Sequence, residues 1–197
     1  MISTFLRPHV ARDASVDRRA VRVMLAWAAL AVLAAPSLHA ESTAGVHWTG
    51  PAGWPNQGES PMRAASYLVP RAPGDTLPAE CVVYFFGAGQ GGSIDANMER
   101  WSGQFAEVTG APAKAAIGHR VIHGMKTTTI DVSGVYSGMG GPMAAGAHKL
   151  PGYRLLGAIL EGPGGNIFVK FTGQAATVAA AAKAYEQLLA SFEAAAR

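Results

Sequence analysis

Apolar and polar positions alternate with two different periods along this chain. Glu80 to Phe86 reads ECVVYFF, a β-branched and aromatic run. At a period of two it places Cys81, Val83 and Phe85 on one face and Val82, Tyr84 and Phe86 on the other, which predicts a strand covered on both sides. Shorter strands are predicted at Val46–Trp48, ended by Gly50-Pro51, and at Met62–Val69, ended by Pro70. Residues 114–123 and 126–136 read as two strands turning at Gly124; in the second, Ile130, Val132 and Tyr136 alternate with Thr129, Asp131 and Ser133. Tyr153–Glu161 and Ile167–Thr172 read as a hairpin around Gly162-Pro163-Gly164-Gly165.

Two stretches switch to the helical period. Ile94, Met98, Trp101 and Phe105 recur at spacings of four, three and four, behind an N-cap at Ser93 and an acid in the first turn at Asp95. This helix is expected to run to about Thr109-Gly110. From about Thr177, an alanine-rich segment carries Val178, Ala181, Tyr185, Leu188 and Phe192 on one stripe. The order β-β-β-α-β-β-β-β-α lacks repeated βαβ units, so it predicts an α+β fold. An antiparallel sheet of about six to seven strands is covered by two amphipathic helices, an α/β/α sandwich-like single domain.

The first forty residues belong to a different regime. Val23–Ala35 is a thirteen-residue apolar run preceded by arginines and followed by Pro36 and the small-residue exit Ser37-Leu38-His39-Ala40. It is shorter than the roughly 20 residues of a spanning helix. The pattern is that of a secretory signal, with cleavage expected after Ala40, export to the periplasm or beyond, and no stable membrane insertion afterwards. Residues 1–20 exceed what such a signal needs. Either translation starts nearer Val21, or Arg18-Arg19 belongs to a twin-arginine signal. The mature domain then spans residues 41–197.

Charge sharpens this division. The whole chain carries a formal net charge of +3. Residues 1–40 hold five arginines against two aspartates, so the remainder has as many acids as bases. A neutral domain has no field for collecting phosphates, which excludes nucleic acid as an expected partner. All 24 glycines follow residue 40, making about 15% of that part, roughly twice the usual share. They fall between apolar runs and so mark turns. Cys81, the single cysteine, excludes an internal disulfide and reads as a buried small hydrophobe.

The chemistry-bearing motifs are few. Gly87-x-Gly89-x-x-Gly92 follows a strand and opens a helix, as in a dinucleotide fingerprint. No acidic residue ends a second parallel strand some 20 positions on, so no cofactor is expected, although the bare amides of the turn suit a simple anion. Asn97 and Arg100 share one helix face and, with Gly87, Gly89 and Gly92, form the candidate binding surface for an unknown protein or small ligand. Met139, Met143 and His148 in the 137–151 loop, with Met125, His119 and His123 nearby, offer soft ligands that suit copper as a weaker alternative. His119, His123 and Asp131 are the candidate machinery of an alternative small periplasmic hydrolase; the chain has no nucleophile elbow and no His-Glu-x-x-His pair. Trp48 and Trp54 flank a Pro-Gly turn and suit either sugar stacking or a core cap. A carrier reading, with an apolar ligand held between sheet and C-terminal helix, requires an internal cavity there.

Several of these segments recur together in a known group. They are Met62-Arg63-Ala64-Ala65, Val82-Val83-Tyr84-Phe85-Phe86-Gly87, Asn97-x-x-Arg100-Trp101-x-x-Gln104-Phe105, Lys170-Phe171-Thr172-Gly173 and Leu188-Leu189-Ala190-Ser191. Over roughly residues 45–195 the chain resembles exported bacterial proteins of unassigned function whose fold is similar to the PsbP-like extrinsic proteins of photosystem II. That fold is shared with a Ran-binding nuclear transport factor. The resemblance implies an α/β/α sandwich with an antiparallel sheet and a binding or accessory role. It implies no catalytic residue, and neither photosystem nor Ran partners follow from it.

Overall fold

The computed structural model describes residues 40–138 and 149–195. Ten strands and two helices follow in the order β1 (Ala40–Thr43), β2 (Val46–Thr49), β3 (Arg63–Val69), β4 (Ala79–Tyr84), α1 (Ile94–Ser102), β5 (Phe105–Ala106), β6 (Ala116–Ile122), β7 (Met125–Tyr136), β8 (Leu150–Gly162), β9 (Gly165–Gln174), α2 (Ala175–Ala190) and β10 (Glu193–Ala194). Seven strands form one sheet in the order β3-β4-β9-β8-β7-β5, with β6 also paired to β7. Every pairing in it is antiparallel.

The pleat sorts side chains onto two covered faces. On one, Cys81, Val83, Leu156, Ala158, Leu160, Val169 and Phe171 meet Val178, Tyr185 and Leu188 of α2. On the other, Ile130, Val132, Leu155, Ile159 and Phe168 meet Met98 and Trp101 of α1 and Phe105. Being covered on both sides is why the middle of β8 reads as an unbroken apolar run, LLGAIL. The expected α+β sandwich is therefore the observed one. At the β6–β7 turn, His123 and Gly124 both take positive φ, 43° and 82°, matching the two-residue turn whose twist suits a hairpin.

Three short strands lie apart from the main sheet: β2, expected at Val46–Trp48, and β1 and β10, which carry no periodic signal. β1, β2 and β10 form a separate three-stranded sheet with β2 in the middle. It is held against the main core by Trp48, which stacks on Phe192 with ring centroids 5.0 Å apart. The Trp48 Nε1–H donates to Glu41 Oε2 at 2.8 Å and to the Tyr67 hydroxyl at 2.9 Å, and Tyr67 in turn donates to Glu41. Trp48 and Trp54 are 1% and 8% exposed, so both cap the core and neither is available to stack a sugar.

The first helix is shorter than its apolar spacing suggests. It ends at Ser102, and Phe105 lies in β5, opposite Tyr136. β6 pairs with β7 only as far as Asp131, so the rest of that β7 edge would stand open. Gln104–Ala106 occupies it, with Ser137 N–H donating to Gln104 O at 2.9 Å. Satisfying those backbone groups outweighs another helical turn, and Phe105 still reaches the same core.

Helix α2 is capped from outside its own sequence. Gln174 at its N-cap makes no side-chain cap bond. Instead, Asp75 Oδ2 accepts from the Thr177 N–H at 2.7 Å and from its hydroxyl at 2.5 Å. A carboxylate here satisfies a free helical amide and meets the positive end of the dipole. Asp75→Ala is expected to lower stability by about 1–2 kcal/mol, read as a shift of the urea midpoint; an unchanged midpoint would show that the cap is dispensable.

Candidate functional site

The α1 side of the sheet is not fully covered. Between α1 and strands β3, β4 and β9 lies a cleft of about 460 Å³. Strand alternation supplies its floor: Tyr84 and, just past the end of β4, Phe86 point into it, and from β9 so do Phe168 and Lys170. Tyr84 stacks on Phe86 at 5.8 Å, and Phe86 meets Phe168 edge-on at 5.1 Å. Helical spacing supplies the wall. Asn97, Arg100, Trp101 and Gln104 follow at three, one and three residues, which brings them onto one side of α1 and its trailing turn. Pro61, Met62 and Arg63 close the near end.

Three cations face this cleft, and its lining contains no carboxylate. Arg63 is already engaged: Nη1 donates to Glu80 Oε1 at 2.7 Å, and the guanidinium lies 5.6 Å from the Tyr84 ring centre. Arg100 and Lys170 differ. Among the described residues neither takes part in an ion pair. Arg100 donates to Asn97 Oδ1, and Lys170 Nζ donates to Gln104 Oε1 at 2.7 Å while lying 5.7 Å from the Tyr136 ring centre. Burial pushes the Lys170 amine down to about 8; the nearby Arg100 charge adds to this, and Glu80 opposes it. Burial also holds the Tyr84 and Tyr136 hydroxyls above their ordinary range.

Of the five candidate surface residues, the structure brings only Asn97 and Arg100 to this cleft. Gly87, Gly89 and Gly92 take positive φ and form the turn leading into α1, which is a chain-reversal role. Asn97 is 1% exposed and is no surface contact. Its Nδ2 donates to Gly91 O and Ser93 O, both at 2.8 Å, which ties the glycine turn to the helix and aims Oδ1 at Arg100. The sequence pattern does not mark Lys170, Arg63, Tyr84, Phe86, Phe168 and Gln104 as site residues. One signal was present: Lys170 interrupts the apolar run Ile167–Phe171 at a position that the period of two assigns to a covered face.

The alternative hydrolase machinery does not assemble. His119 lies opposite Thr128 and bonds its Oγ1 at 3.2 Å, on the α1 side. Asp131 is three residues along β7, on the α2 side, where Arg154 grips it through Nε at 2.9 Å and Nη2 at 2.6 Å. His123 sits in the hairpin turn with Nδ1 2.9 Å from Phe192 O. An odd separation along one ladder places groups on opposite faces of the sheet, which is why the three cannot converge. Between sheet and α2, where the carrier reading needs a cavity, Val178, Tyr185, Leu188 and Leu189 pack into the core, and a second hollow of about 340 Å³ opens between β6–β8 and Ala182, Tyr185 and Glu186, with the Asp131–Arg154 pair in its lining. Met139, Met143 and His148 lie outside the described residues. Among the described residues, no group of three or more His, Cys, Asp or Glu side chains is placed to hold a metal, and no helix is long and apolar enough to cross a membrane.

No protein-family model matches the chain, and no curated protein matches it. Solved structures of similar fold include the following two. One is a protein of unknown function from Pseudomonas aeruginosa, 16% identical, covering 77% of this chain and 93% of its own, with a TM-score of 0.44. The other is the cyanobacterial PsbP (CyanoP) of Synechocystis sp. PCC 6803, 11% identical, covering 79% and 90%, with a TM-score of 0.45. At these identities the likeness concerns the course of the backbone and transfers no ligand or role.

Proposed function

We propose that this chain is an exported, non-enzymatic binding or accessory module whose ligand site is the cleft beneath α1. The observation that carries the reading is the cleft itself. It is concave, aromatic-walled and furnished with a few polar groups, and its volume of about 460 Å³ lies within the roughly 300–1,000 Å³ usual for small-molecule sites. Its lining holds no histidine, cysteine, serine or carboxylate, so the Ser–His and Cys–His pairs of hydrolytic chemistry have no counterpart there. Export is supported by the leader pattern of residues 1–40. A cut after Ala40 leaves Glu41 in place to bridge Trp48 and Tyr67.

Native mass spectrometry of the protein isolated from its own cells tests both parts. The expected mass begins at Glu41, with a small-molecule adduct that is missing from a variant with the cleft disrupted. A chain retaining residues 1–40 outside the cytoplasm would overturn the export reading. A hydrolytic activity lost in His123→Ala would overturn the non-enzymatic one.

A further inference from the structure

Resting on that cleft, we infer that its ligand is an organic anion: a flat apolar or aromatic body carrying a carboxylate-like group that sits between Arg100 and Lys170. Both are held by amide oxygens, Asn97 Oδ1 for Arg100 and Gln104 Oε1 for Lys170. An amide orients a cation without neutralising it. The Asn97 amide cannot turn round, because its nitrogen is committed to Gly91 O and Ser93 O. Two positive groups thus line one aromatic-walled cleft, with no acid of the lining to balance them.

Retaining unbalanced charge beside apolar surface is costly unless a partner of opposite sign completes the site. Three other arginines show the contrast, while Arg71 donates to the Asp75 backbone carbonyl. Arg63, Arg120 and Arg154 each pair with a carboxylate, Glu80, Glu186 and Asp131 respectively. Arg154 beside the hollow next to α2 is therefore already neutralised, whereas Arg100 and Lys170 leave a place for an anion. Size and walls define the rest of the ligand. An inorganic anion would leave the partly exposed rings of Tyr84 and Phe86 facing water, and a neutral apolar molecule would strip water from both cations and give nothing back. A ring stacked on the aromatic walls with its acid group toward the cations meets both requirements.

The test is calorimetric titration of the isolated protein at pH 7 with 2-naphthoate, 2-naphthamide and inorganic phosphate. Naphthoate is expected to bind at least about tenfold more tightly than the amide, equivalent to about 1.4 kcal/mol, and more tightly than phosphate. Arg100→Gln and Lys170→Gln are each expected to reduce that preference to about threefold or less, and His123→Ala, remote from the cleft, to leave it unchanged. Equal binding of acid and amide would overturn the anion inference while leaving the cleft as a binding site. Phosphate binding as tightly as naphthoate would overturn the aromatic body. A preference untouched by both cleft substitutions would place the anion elsewhere and overturn the site. Failure of all three probes to bind would overturn the inference and the cleft reading together.

Discussion

Trp101→Ala is expected to lower stability by about 3–5 kcal/mol and to abolish small-molecule binding beneath α1. Trp101 is 5% exposed and joins Met98, Phe105, Ile130, Leu155, Ile159 and Phe168 in the α1-side core. It also bounds the cleft, so one ring serves both packing and site. The ring lies directly on the β8 backbone at Gly157. A Cβ added there would stand 2.5 Å from Trp101 Cζ3 and 2.8 Å from Ile130 Cγ2. Since Gly157 has no side chain to move into the space, and β8 is hydrogen-bonded on both sides, the void left by alanine cannot collapse. Urea unfolding gives the loss directly, and Trp101→Phe should recover part of it. A loss below about 1 kcal/mol would show that α1 is anchored by other contacts.

Lys170→Met is expected to act in the opposite direction, raising stability at pH 7 by about 1–3 kcal/mol while weakening anion binding. The folded protein holds the Lys170 amine at about 8 against an ordinary value of 10.5. Between those values the unfolded chain binds more protons than the folded one, so this group's contribution to stability rises with pH across that window. Below it, the full penalty of burying the charge is present, roughly 3 kcal/mol. Methionine removes that penalty but leaves Gln104 Oε1 without its donor, which costs about 1 kcal/mol. The advantage of Lys170→Met should therefore shrink as pH climbs from about 8 towards 10.5.

The groups facing Lys170 are Arg100 from α1, Glu80 and Tyr84 from β4 and Tyr136 from β7. Cys81, Tyr67 and Tyr185 are also held above their ordinary values by burial, and they oppose stability at high pH. They are common to both proteins, so the difference between variant and parent isolates the lysine. Naphthoate affinity should fall over the same range as the lysine loses its charge. A variant that is less stable at pH 7, or whose advantage is the same at pH 7 and 10, would refute this account.

Much of the layered fold was legible because it rests on local periods. The alternation in ECVVYFF assigned Cys81 and Val83 to one covered face and Val82 and Tyr84 to the other, and both helical stripes were visible. The site was less legible. Asn97 and Arg100 were singled out from their shared helix face, but their cleft is completed by Arg63, Tyr84 and Lys170 from three strands far apart in sequence. Glu41, Trp48 and Tyr67 meet across 26 residues, and Asp75 caps a helix about 100 residues further on. No window of sequence contains both partners of such contacts.

By itself, the sequence determined the two periods, the positions of most turns, the neutrality of residues 41–197 and the pattern of a leader before them. These follow from neighbouring residues and from sums over a segment. Tertiary structure alone decided that α1 stops at Ser102, that His119 and Asp131 face away from each other, and that Arg100 and Lys170 line one cleft whose lining holds no carboxylate. Each depends on strand register, which the requirement to pair every backbone group sets across the whole sheet.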